Sequence, residues 1–145
     1  MFKELRDLEV LKVELGQVIK LAKDYREYDN QYSIKGISAM DGEQLKKDME
    51  FESSPEGKEL LRRRKEVGDY LKGLDFEAVK AIQVVMHIGR DEDYNETDRP
   101  EKIYGNKRDS LSFGERSYEI DQMTGKLPQL EEYLENGLRI LGISL

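Results

Sequence analysis

AVKAIQVVMHIGRDED, residues 78–93, decides the fold. Only Lys80, Gln83 and His87 interrupt its apolar run, so a helix over 76–88 is apolar almost all the way round. Such a helix is stable only when others surround it, which places it in the middle of a bundle. Asp75 is an N-cap residue in front of it, and Leu74 and Val79 are spaced as a hydrophobic staple across that cap. Gly89 is a fitting residue to end it.

Upstream, ESSPEGKELL (52–61) reads as another helix start. Ser54 caps free backbone amides, and Pro55 costs nothing at the first helical position. Leu60, Val67 and Leu71 carry the apolar stripe of a helix over 55–73. Further back, Leu5, Leu8, Leu11, Leu15, Val18, Ala22 and Tyr25 recur at steps of three and four, predicting a helix over 3–29. DNQYSIKGISAMDGEQ (29–44) reads as a loop, with a short helix from Asp41 to Phe51.

Downstream, residues 89–116 are polar and read as a loop region with a helical turn after Pro100. Ser117 is placed to cap a short segment, YEIDQMTG. Pro128 opens a last helix over 128–141, with Leu130, Leu134, Leu138 and Leu141 buried and Gly142 closing it. Strand-like alternation is almost absent, and no period of solenoid length repeats. The expectation is an all-α fold, a compact bundle of about four to six helices forming one domain over 1–145.

Charged residues make up 38% of the chain and hydrophobic ones 37%, so the core is modest and the surface heavily charged. The formal net charge of −7 opposes the phosphate contacts that dominate nucleic-acid affinity; no direct nucleic-acid binding is expected. With no cysteine, disulfides, thiolate nucleophiles and Cys-based metal sites are excluded. No apolar run approaches the roughly 20 residues that span a bilayer, and MFKELRDLEV lacks the pattern of a signal peptide. A cytoplasmic location is the default expectation.

The single histidine, His87, sits at the end of the apolar run, just before a burst of carboxylates. Asp91, Asp93 and Asn95 match the first positions of a calcium-binding loop, but Glu96 stands where that loop needs glycine and Lys102 where it needs glutamate. Glu-x-x-His pairs of the di-iron kind cannot form with one histidine. Neither a G-x-S-x-G elbow nor a glycine-rich phosphate loop occurs. No metal or cofactor is therefore expected. A packing role suits His87, with the helix dipole favouring its protonated form.

GLDFEAVKAIQVVMHIGRDED, followed by YEIDQMTGKLPQLEEYLENGLRILGISL, resembles a family of small bacterial proteins known only as a domain of unknown function. The resemblance covers residues 75–145 and rests on Ile88-Gly89-Arg90 and on the pattern P-x-L-x-x-Y-L-x-x-G-L-x-x-L-G from Pro128 to Gly142. Asp91 departs from the family's usual glycine, and His87 from its usual aromatic residue. The resemblance implies a helical fold and a bacterial or phage source, and no reaction.

Two functional expectations follow. The first is a non-catalytic acidic interaction protein, a regulator or phage-type inhibitor that presents carboxylates to a basic protein partner. The second is a small-molecule or nucleotide site, possible for hydrolysis, built from His87, Arg90, Asp91 and Asp93, with the basic run Arg62, Arg63 and Arg64 contacting phosphate or a partner. The apolar girth of 78–88 also suits a homodimer. Gly137, inside the last helix, is expected to admit the close approach of helix 76–88, and Arg90 to pair with Glu131, Glu132 or Glu135.

Overall fold

The computed structural model describes residues 4–32 and 42–145. Among them are a 3-10 segment, Leu5–Leu11, and seven α-helices: α1 (Lys12–Tyr32), α2 (Gly42–Ser53), α3 (Pro55–Lys72), α4 (Phe76–Asp91), α5 (Pro100–Ser110), α6 (Arg116–Thr124) and α7 (Leu127–Ile140). The fold is all-α, with no strand among the described residues. The count exceeds the four to six expected because a full helix, α5, occupies the stretch read as a polar loop with a single helical turn after Pro100. In α5 only Ile103 and Tyr104 are buried, too few to leave a periodic stripe in the sequence.

Helix α4 lies at the centre. Ala78, Val79, Ile88, Gly89 and every residue from Ala81 to Met86 are buried, all within one chain, so no second copy is needed to cover this helix. Asp75 caps it through the Glu77 amide (3.4 Å). Gly89 does not end it. The helix runs two residues further and is closed by Glu92, the one non-glycine residue with positive φ among the described residues (φ 50°, ψ 32°), whose amide bonds to Ile88 O.

The reason Gly89 is glycine lies across the helix interface. A Cβ there would strike the Tyr133 carbonyl and come within 2.6 Å of the Gly137 nitrogen; a Cβ on Gly137 would strike the Val85 carbonyl. Helices α4 and α7 thus touch backbone to backbone, as expected for Gly137, and this is the largest helix–helix interface. Helix α7 also packs on α1, and α1 on α3, so Leu15, Val18 and Ala22 of α1 meet Leu130, Leu134 and Leu138 of α7 in one core.

The ends hold further corrections. The first helix splits into a 3-10 segment and α1, which continues through Tyr32 where a loop from Asp29 was expected; residues 33–41 of that loop lie outside the described residues. Ser54 caps α3 through the Gly57 amide (3.1 Å). Ser117 falls inside α6, whose N-cap is Glu115 with no side-chain bond. Helix α7 begins at Leu127, with Pro128 in its first turn, and Gly142 (φ 70°) closes it as Ile143 N bonds to Leu138 O (2.9 Å), a left-handed helix ending.

Candidate functional site

Opposite its α7 face, α4 carries a polar stripe: Lys80, Gln83, His87 and Asp91, spaced at three and four. The stripe meets α6, α5 and residues 111–115. Lys80 Nζ stands over the Phe76 ring at 4.5 Å and bonds to Glu77 (3.1 Å). Gln83 Nε2 donates to Glu119 Oε2 (2.7 Å), and Glu119 Oε1 accepts the Gly114 amide (2.8 Å). Both Gln83 and Glu119 are buried, and Gln83 Oε1 has no hydrogen-bond partner.

His87 is half-buried, with Nδ1 sealed from solvent and without a partner. Burial, reinforced by the Arg90, Lys126 and Lys107 charges, pushes its pKa down to about 4 against the pull of Asp91. The imidazole is therefore neutral near pH 7. The expectation that the helix dipole would favour its charged form fails, because the ring is half-buried, the helix does not end there, and the charges of Arg90, Lys126 and Lys107 oppose protonation.

The chain end of α4 is organised by Lys107. Its Nζ bonds to Asp91 Oδ2 (3.1 Å) and sits 2.7 Å from Asp93 Oδ1, with only 10% of the side chain exposed. Burial works against the lysine's charge, but the bonds from Asp93 and Asp91 outweigh it and hold its pKa above the ordinary value. Burial likewise works to raise Asp91, but hydrogen bonds from Arg90 and Lys107 hold it low. Arg90 pairs with Asp91 (2.7 Å) rather than with an α7 glutamate. Glu131 takes Arg26 of α1 instead (2.7 Å).

The four residues expected at one site therefore divide. Asp91 and Asp93 share Lys107. Asp93 lines a cavity of about 290 Å³ between residues 92–99 and α5, floored by Ile88 and Ile103. Arg90 lies on the other side, at the rim of a shallow groove between the end of α4 and α7, beside Glu92, Glu132, Tyr133 and Glu135. In that groove Asn136 Nδ2 donates to Gly89 O (2.8 Å) and Glu92 Oε1 (2.5 Å). His87 lines neither.

The basic run is partly spent internally. Arg62 clasps Glu59 (2.8 and 2.6 Å), while Arg63 bonds to Glu59 (3.0 Å) and Asp24 O (3.1 Å) and stacks on the Tyr28 ring (4.4 Å). Arg62 first, and then Arg63, hold the Glu59 carboxyl at about 2. Arg64 stays exposed, on the groove between α3 and α6.

Among the described residues no three His, Asp or Glu side chains converge to hold a metal ion, and no helix is long and apolar enough to cross a membrane. Sequence reasoning missed Lys107 and Asn136. Lys107 had a signal: Pro100 opens a helix in which Ile103, Tyr104 and Lys107 share a face. Asn136 had only the oddity of a mid-helix asparagine. Compared with known protein families, with curated proteins and with solved structures, the chain matches none.

Proposed function

We propose that this protein is a non-catalytic interaction module that binds a basic surface of another protein through the groove between α4 and α7, and so regulates or blocks that partner. The observation that supports the reading most is a set of carboxylates outside any ion pair among the described residues. The arginines of the groove are engaged elsewhere: Arg26 and Arg90 are taken by Glu131 and Asp91, and Arg139 bonds to Asn136. Glu132 and Glu135 are exposed and form no ion pair among the described residues, and Glu92 bonds to a neutral amide rather than to a cation. They surround Tyr133, an aromatic of the kind that anchors interfaces. The whole chain carries a formal charge of −7, a long-range field of the same sign that speeds encounter with basic partners.

The test is capture from bacterial lysate by the tagged wild type and by the triple variant Glu92→Gln, Glu132→Gln, Glu135→Gln, at low and high salt. A single dominant basic protein, held by the wild type at low salt and lost in the variant, supports the reading. Equal capture by both, or capture that ignores salt, sinks it.

A further inference from the structure

We propose that the cavity between residues 92–99 and α5 binds a small, neutral, polyhydroxylated molecule of about monosaccharide size. This goes beyond the groove on α7, which lies on the opposite side of the α4 terminus.

Its size, about 290 Å³, sits at the small end of ligand pockets and suits one ring rather than a nucleotide. Its floor is apolar, made by Ile88 and Ile103, and Tyr94 forms a half-buried wall. An aromatic wall over an apolar floor packs the C–H face of a ring whose edge is polar.

The polar groups around it are charge-balanced. Asp93 shares Lys107 (2.7 Å) with Asp91, which Arg90 also pairs (2.7 Å), and Asp98 takes Lys102 (3.3 Å). Neither a free cation nor a free anion is therefore favoured. What remains is hydrogen-bonding capacity of both kinds. The carboxylates keep unused lone pairs. Asn95 Oδ1 is committed to Thr97 N (3.0 Å) and Thr97 Oγ1 (2.8 Å), which leaves its amide nitrogen to donate. The Asn106 side chain makes no hydrogen bond among the described residues. Acceptors beside amide donors match hydroxyl groups, each of which both donates and accepts.

The walls are held in place before any ligand arrives. Glu92 adopts a left-handed conformation that is disfavoured for a residue other than glycine, and it closes α4 where the chain leaves toward α5. Asn136 pins that turn from α7, Lys107 clamps Asp91 and Asp93, and Asp98 N bonds to Asn95 O (2.9 Å). A site fixed in this way spends little ordering free energy on binding.

The experiment is methyl NMR of the full chain, following Ile88 and Ile103. Glucose, ribose and myo-inositol are titrated singly to millimolar concentration, with putrescine and acetate as charged probes. Asn106→Leu serves as the variant; Asn106 is exposed, and an unchanged helical CD spectrum confirms its fold. The expected result is saturable shifts at both isoleucines with at least one polyol, weakened roughly tenfold or more by Asn106→Leu, and none with the charged probes. Silence from all three polyols, shifts with a charged probe instead, or an Asn106→Leu variant that binds as the wild type does would overturn it.

Discussion

Toward α7, helix α4 offers backbone: Gly89 and the Val85 carbonyl press on the backbone of Tyr133 and Gly137, with Val85 Cγ1 beside them. Toward α6 and α5 it offers Gln83 and Asp91, answered by Glu119 and Lys107, and between them His87, held neutral by burial. The first contact depends on shape, which neither salt nor pH alters. The second depends on protonation and charge balance, and it leaves two buried polar atoms, Gln83 Oε1 and His87 Nδ1, without partners. One helix thus has a face held by shape and a face held by charge and hydrogen bonds.

The sharpest way to break that contrast is to put a methyl group into the tight face. Gly89→Ala meets backbone atoms that cannot rotate aside, so urea denaturation should show a loss of about 3 kcal/mol; a loss below about 1 kcal/mol would mean the helices separate freely. On the polar face, Glu119→Ala strands the Gln83 amide and the Gly114 amide, at a cost of about 2 kcal/mol by the same measurement.

The pH response separates the faces most directly. An unfolded imidazole titrates near 6.5 and the folded His87 near 4, so between those values the unfolded chain binds more protons. The stability that rests on neutral His87 is whole above about pH 6.5, falls as pH drops toward 4, and changes no further below it. The groups facing the ring are Arg90, Asp91, Lys107 and Lys126. Gly89→Ala should keep that component, whereas the His87→Phe stability curve should lack it and diverge from the wild-type curve between about pH 6.5 and 4. If the two curves stay parallel, the imidazole is not held neutral.

Lys107→Ala leaves Asp91 and Asp93 facing each other and should cost about 1 kcal/mol, shrinking in high salt. Arg90→Ala removes only an exposed neighbour contact and should change stability by less than about 0.5 kcal/mol. A larger loss would restore the pairing of Arg90 with α7.

Much of the tight face is legible in the sequence. The apolar run 78–88 announces a central helix, and a glycine inside α7 asks for a close neighbour. Gly89 misleads because one residue type serves two purposes, ending helices and admitting other helices; only the partner backbone tells them apart. The polar face is far less legible. Lys107 and Glu119 reach α4 from helices whose apolar stripes are short, and their pairing spans sequence distances that no local pattern records. The cavity beside α5 depends on a left-handed Glu92, a residue type that gives no hint of such a conformation.

Helix α7 covers both α1 and α4, and Arg26 bonds to Glu131 across 105 positions of chain. That has a consequence in time rather than in space. While a ribosome is still short of Leu127, the buried stripe of α1 and the seam side of α4 are already made and lack their cover. Contacts so distant in sequence close slowly, so the nascent chain carries exposed apolar surface through most of its synthesis. Translation arrested before α7 should leave a chain that chaperones hold, and release of α7 should set it free.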